Sequence, residues 1–295
     1  MGGLVLLSSF FLRRHPKIAP LMSPFTVIKP RFHHSSGPTH SSNPPQKSIV
    51  STKKYRFIMN IGELQVLSTY SVEMMEDREY GEAAKTLVEY TRIISSCALM
   101  PSPIGYKVPQ VQTTGSTRKG VSVYPSMPDL MSHLQSDDDD FFRYPFQVDY
   151  SPQLIESCDG QTSLSSYEHL SCSLANLFNL GLCHHLVWEK TKKKKKVDLL
   201  HKARQFYDEA MCLFSNYGKD QYCNSDKVLH LLMAICSNLA HCHYQIGNLE
   251  QGHLSNNRLK EVVYFASSEI QDESSFFYDC AYFNTFKITR AAAAA

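Results

Sequence analysis

Cysteine and histidine recur in two short stretches of this 295-residue chain, and their side chains are the most reactive that the sequence groups together. Thiolate and imidazole are the ligands of tetrahedral zinc sites, usually with a C-x2-C pair. No such pair occurs, and adjacent residues on a helix point about 100° apart, so neighbours cannot easily grip one ion. The spacing therefore predicts core positions and no metal site for Cys183, His184, His185, Cys236, His241, Cys242 and His243.

Motifs for nucleophilic catalysis and for phosphate binding are missing from the sequence. There is no Gly-x-Ser-x-Gly elbow. Gly105, Gly115 and Gly120 are scattered without P-loop spacing and are typical of turns. We therefore expect no catalytic residue, no cofactor and no enzymatic activity.

The composition is that of an ordinary globular protein, with 43% hydrophobic and 20% charged residues. A net charge of +2 gives no reason to expect nucleic acid or an anionic membrane as a partner, and no apolar run is long enough to span a bilayer. Nine cysteines without a short-spaced framework indicate free thiols in a reducing compartment. We expect an intracellular protein of the cytoplasm or nucleus that binds a protein or peptide.

Residues 1–58 differ from the rest of the chain, because they contain Arg, Ser and Pro but no acidic residue before Glu63. Such a leader resembles a transit peptide, which would direct the protein to a plastid or mitochondrion. The other interpretation is a disordered extension, with Met59 as the true start. The predicted domain is 59–290, followed by an alanine tail at 291–295.

Three segments show the 4,3 spacing of apolar residues that places them on one face of a helix: 61–95, 165–217 and 225–268. Each reads as two helices joined by a turn, and such units bury their apolar faces by stacking. Residues 100–164 interrupt the series and lack sustained periodicity, so we interpret them as an insertion. Its aromatic-rich stretch 141–150 predicts a short extended piece packed on the helices.

The sequence contains two charge runs: Asp137–Asp140 lies within the insertion, and Lys192–Lys196 lies in the turn of the second unit. Such runs usually lie in solvent. The lysines also permit a nuclear localisation signal or an anionic contact, and the two runs permit a weak mutual attraction.

The string Asn179-Leu180-Gly181-Leu182-Cys183-His184 returns as Asn238-Leu239-Ala240-His241-Cys242-His243, 59 residues later. Together with Gly247-Asn248 at a turn, these residues resemble the tetratricopeptide repeat. The resemblance implies an all-α fold of stacked antiparallel hairpins in a right-handed superhelix, here with a long irregular insertion. The positions that carry it are Leu180, Gly181, Ala203, Tyr207, Ala210, Leu239, Ala240, Gly247 and Gly252.

The function implied by this resemblance is a non-enzymatic scaffold that binds a peptide or helix on its concave surface. Helical phase places the candidate binding residues at Asn176, Asn179, His241 and Gln245. Asn179 and Asn238 also sit where co-chaperone repeats place an asparagine, but the accompanying cations are missing, so we do not predict binding of chaperone tails. A regulatory or adaptor subunit that uses the 100–164 insertion is the alternative. A metal-binding protein or enzyme built on the Cys/His cluster is a third reading.

Overall fold

The computed structural model describes residues 61–98, 120–126, 141–156, 164–191, 196–217, 226–266 and 276–282. All of them belong to one compact unit. The leader, the alanine tail, Asp137–Asp140 and most of the lysine run lie outside the described residues.

The described residues are mostly helical, as the sequence predicts. Six long helices form three hairpins, and each hairpin packs on the next in chain order. Their bounds fall within a few residues of the three units expected from periodicity. The hairpins are α1 (Ile61–Glu76) with α2 (Tyr80–Ala98), α4 (Ser166–Thr191) with α5 (Val197–Tyr217), and α6 (Asp226–Ile246) with α7 (Leu249–Ala266).

The first and third hairpins turn in the same way. At the end of α6, Gly247 has a φ of 86°, and the N–H of Asn248 donates to the His243 carbonyl at 2.9 Å. At the end of α1, Arg78 has a φ of 65°, and the N–H of Glu79 donates to the Met74 carbonyl at 2.7 Å. Both are Schellman-type ends with a left-handed residue after the helix. Only the end of α6 has the glycine that this conformation favours.

The second hairpin begins with a reciprocal cap. The N–H of Ser165 donates to the Glu168 carboxylate at 2.8 Å, and the N–H of Glu168 donates to the Ser165 hydroxyl at 3.3 Å. This capping box satisfies donors that the first turn of a helix would leave without partners. It fixes where α4 starts, directly after the insertion.

The insertion differs from the irregular segment that the sequence predicts, because its described residues include two strands and a short helix. β1 (Val121–Pro125) pairs antiparallel with β2 (Phe146–Tyr150), with Val123 opposite Val148, and α3 (Pro152–Glu156) follows. β2 packs on α1 and α4. The described part of the chain is therefore helical with a two-stranded sheet, and the expected extended piece 141–150 contains the second strand of that sheet.

A last helix, α8 (276–282), closes the described chain. Phe276 and Phe277 are buried, and the side-chain amide of Asn256 on α7 donates to the Ala281 carbonyl at 2.8 Å. None of the described helices combines the length and apolar character needed to cross a membrane.

Candidate peptide-binding site

Residues 141–150, which we name the docked segment, lie across the first helices of all three hairpins. Asn238 on α6 accepts a hydrogen bond from the N–H of Phe142 at 2.8 Å and donates to its carbonyl at 2.9 Å. Asn179 on α4 does the same for Phe146, with both distances 2.8 Å. Two asparagines at equivalent positions of successive hairpins thus each bond to both main-chain groups of one residue.

The first hairpin extends this contact along β2. Ser68 on α1 accepts from the N–H of Val148 at 3.2 Å, and Gln65 accepts from the N–H of Tyr150 at 2.7 Å. We name the side of α1, α4 and α6 that carries Ser68, Asn179 and Asn238 the first-helix face. The docked segment runs along this face from the third hairpin to the first.

The two edges of β2 have different partners. At the two ends of the pairing with β1, Pro145 accepts from the N–H of Ser126 and Ser151 donates to Gly120, both at 2.9 Å. Odd-numbered peptide groups of the strand therefore face β1, and even-numbered ones face the helices. A strand edge with unpaired groups is prone to pair with other chains. Here helix side chains occupy it instead.

The aromatic side chains of the docked segment are part of the core. Phe142 and Phe146 are fully buried. The Phe146 ring meets Phe178 of α4 edge to face at 5.2 Å, and the Phe142 ring stacks on Phe277 of α8 at 5.3 Å. Such contacts add about 0.5–1.5 kcal/mol per pair beyond the area buried. The segment is therefore held by side chains as well as by its backbone.

Phe141 covers a buried pair of histidines. Its ring stacks on His185 at 3.9 Å and on His241 at 4.9 Å, and Nε2 of His185 is 2.8 Å from Nδ1 of His241. Burial lowers the pKa of His185 well below its ordinary value, and the nearby His241 and Arg143 lower it further. His185 is therefore neutral at pH 7, and one of the two facing nitrogens carries the proton of this hydrogen bond.

A chain of hydrogen bonds links this pair to the asparagine of α6. Asn238 donates to the Tyr207 hydroxyl at 3.1 Å, and that oxygen lies 3.4 Å from Nδ1 of His185. At the other end, Nε2 of Gln245 lies 3.2 Å from Nε2 of His241. The contacts run from exposed Gln245 to the residue that binds the Phe142 backbone, so a proton added at the histidines would disturb that contact.

Arg143 lies at the rim of the same site. Its guanidinium binds the Glu189 carboxylate through two contacts of 2.5 Å, and it also lies 4.7 Å from the centre of the Phe141 ring. The paired side chains are 29% and 25% exposed, so water reaches this ion pair only in part. Fork-to-fork geometry of this kind favours arginine over lysine.

The four predicted binding residues lie in one region, but most are not accessible. Asn179 binds the docked segment, and His241 stacks under Phe141. Asn176 is buried and donates to Thr91 on α2 at 2.6 Å, which ties the first hairpin to the second. Gln245 alone among the four is exposed. The role of this set in binding a partner stays a prediction.

The predicted repeat positions lie at helix contacts. A Cβ on Gly181 would come within 2.6 Å of the buried Tyr207 ring, and one on Gly252 within 2.4 Å of the half-buried Tyr244 ring. The others, except Gly247 at the turn, are buried: Leu180, Ala203, Tyr207, Ala210, Leu239 and Ala240.

Sequence reasoning left Asn238, Ser68 and Gln65 out of the binding set. The string that returns 59 residues later begins with Asn238, and its equivalence to Asn179 is a sufficient signal to include both. Ser68 and Gln65 carry no comparable signal, because single serines and glutamines on a helix are ordinary.

Among the cysteines and histidines of the repeated string and its neighbours, His185 contacts His241 and lies 3.9 Å from the Cys242 sulfur. Across the described ranges, no three His, Cys, Asp or Glu side chains are placed to hold one ion. Burial raises the pKa of Cys183 and of Cys236 to about 12. A thiol that stays protonated at pH 7 is a poor nucleophile.

Compared with family models, curated proteins and solved structures, the chain matches none of them. The class that the fold and the site define is a helical-hairpin protein with an extended segment bound along its first helices.

Proposed function

We propose that this protein is a non-enzymatic interaction scaffold of tetratricopeptide-like hairpins, which binds an extended peptide along its first-helix face. The observation that supports the proposal is the pair of asparagine contacts. Asn179 and Asn238 each bond to the N–H and the carbonyl of one residue in an extended chain. Main-chain contacts of this kind provide affinity for any extended segment, and side-chain pockets then provide specificity.

In this proposal the docked segment is the resident ligand, and a partner competes with it. A tethered ligand acts at an effective concentration of roughly millimolar. The two buried phenylalanines add to its hold, since removal of one such side chain costs about 3–5 kcal/mol. A partner peptide therefore binds weakly to the closed protein and strongly once the segment has left.

The experiment uses a fluorescent peptide of residues 139–151, titrated against the full chain and followed by fluorescence anisotropy. We expect Phe142→Ala, which weakens the resident segment, to bind the peptide at least about 100-fold more tightly than the unchanged protein. Adding Asn238→Ala to that variant should remove most of the binding. Phe142→Leu is the milder variant to use if circular dichroism shows that Phe142→Ala does not fold.

A matched control is Phe214→Ala, because Phe214 is a buried phenylalanine of α5 outside the contacts described above. Phe214→Ala should lower stability by about as much as Phe142→Ala does, but the variant should not gain affinity for the peptide. The proposal is refuted if the folded Phe142→Ala protein does not bind the peptide. It is also refuted if adding Asn238→Ala leaves the affinity for the peptide unchanged.

The second candidate function is an adaptor that contacts its partner through the insertion. Exposed apolar side chains on β1 and α3 favour it, since Tyr124 and Ile155 are 39% and 43% exposed. Deletion of 105–150 cannot test it, because the deletion also removes Phe142 and Phe146 from the core. Replacing Tyr124 and Ile155 by serine leaves those residues in place, and this candidate predicts loss of the partner from the double variant.

A further inference from the structure

We infer that the first-helix face selects a partner segment of the form Phe-Phe-Arg-x-x-Phe in an extended conformation. The inference rests on the proposed function and adds the chemistry of the partner. Four side chains of the docked segment, Phe141, Phe142, Arg143 and Phe146, each meet a different set of groups on the helices. These four sets define the selectivity.

The first position takes a flat aromatic ring. The Phe141 ring is nearly parallel to His185, with an interplanar angle of 13°, and is tilted by 28° from His241. Both imidazoles are buried, so the ring of Phe141 covers the pair. An aliphatic side chain fills similar volume but lacks the stacking face.

The second and sixth positions take buried phenylalanine rings. His230 of α6 lies between them, with its ring centre 6.2 Å from both Phe142 and Phe146. Phe178 and Phe277 close the two pockets from α4 and α8. The rings of Phe178 and Phe277 offer no hydrogen-bonding group, so these sides of the pockets favour phenylalanine over tyrosine, whose hydroxyl is costly to bury without a partner.

The third position takes a cation with two parallel donors. The Glu189 carboxylate receives both terminal nitrogens of Arg143. Because the pair is only about one quarter exposed, an anion at this position would face the carboxylate with limited screening. The Glu189 carboxylate at the rim therefore selects a positively charged side chain, while the buried pockets select the shape of an aromatic ring.

The test is a competition between unlabelled thirteen-residue peptides and the fluorescent reporter on the full-length Phe142→Ala protein. We expect Phe141→Leu in the peptide to weaken binding about threefold to tenfold through lost stacking. Arg143→Glu in the peptide should weaken binding tenfold or more. Glu189→Arg in the protein should restore binding of that peptide and reject the original one.

The outcomes separate this inference from the proposed function. If the altered peptides bind as tightly as the original peptide, the inferred side-chain selectivity is wrong, but the proposed binding through main-chain hydrogen bonds is retained. If no peptide binds, both fall. If the chain forms concentration-dependent dimers and excludes the peptide, a second copy supplies the segment, and the assignment to a separate partner is wrong.

Discussion

Replacing Asn238 by alanine tests the central contact of the structure. The substitution removes the acceptor for the Phe142 N–H and the donor to its carbonyl, and both groups are buried. A buried polar group left without a partner costs about 1–3 kcal/mol, so the expected loss of stability is about 2–6 kcal/mol. Since small domains are stable by about 5–15 kcal/mol, the variant should fold but with a much lower urea midpoint.

The local effect should exceed the global one. Hydrogen exchange measures the free energy of opening at each amide. In Asn238→Ala the Phe142 amide should exchange at least about 100-fold faster, while amides in α2 change only as far as global stability falls. Asn179→Ala should show the same pattern at Phe146.

Asn176→Ala is the control, because Asn176 and Asn179 are both asparagines of α4 and are equally buried, at 3% exposed. The side-chain amide of Asn176 makes one bond, to Thr91, so its loss should cost about 1 kcal/mol without selective exchange at the docked segment. The reasoning is refuted if Asn176→Ala and Asn238→Ala give the same exchange profile, or if the Phe142 amide is no faster than the global rate.

Three further results are expected. Burial and two nearby arginines lower the pKa of His243 to about 4, so the unfolded chain takes up a proton below pH 6.5 that the native chain does not. Between pH 6.5 and 5 the free energy of unfolding should therefore fall by up to about 1.4 kcal/mol per pH unit for this group, which lowers the urea midpoint, and His243→Gln should flatten the profile. Gly181→Ala, which presses on a buried tyrosine ring, should lower stability by about 1–3 kcal/mol, whereas Gly252→Ala meets a half-buried ring that can move and should be closer to neutral in the same urea titration. Arg78→Gly should raise stability by up to about 1 kcal/mol, and with it the melting temperature, because the backbone at position 78 has a left-handed conformation. Gly247→Arg should lower stability by a similar amount for the same reason.

The hairpins could be predicted because their signals are local. Apolar spacing of four and three residues marks a helix face, and Gly247 marks the turn of the third unit. The string that begins at Asn179 and returns at Asn238 places these two asparagines on corresponding faces of α4 and α6. These are properties of residues within about one helix of each other, which a single sequence displays.

The docked segment could not be predicted in the same way. Phe142 meets an asparagine that lies 96 residues further along the chain, and no spacing rule connects them. The burial of α4 is also wider than its sequence pattern predicts. The 4,3 spacing marks one face, yet Cys172 and Cys183 on the opposite side of the helix are also buried, because the segment and the neighbouring hairpins cover the helix from several sides. A helix that is apolar on all sides indicates burial from several directions, but it does not identify the elements that bury it.

The distance in sequence between Phe142 and Asn238 also has a consequence for synthesis on the ribosome. Protein chains emerge in order at about 5–20 residues per second, so the segment leaves the exit tunnel roughly 5–20 s before its asparagine on α6. During that interval Phe141 and Phe142 lack the α6 surface that covers them in the folded protein. The nascent chain is therefore most exposed to aggregation after its first hairpin is complete, and chaperone capture should be strongest on ribosome-bound chains truncated between the segment and the third hairpin.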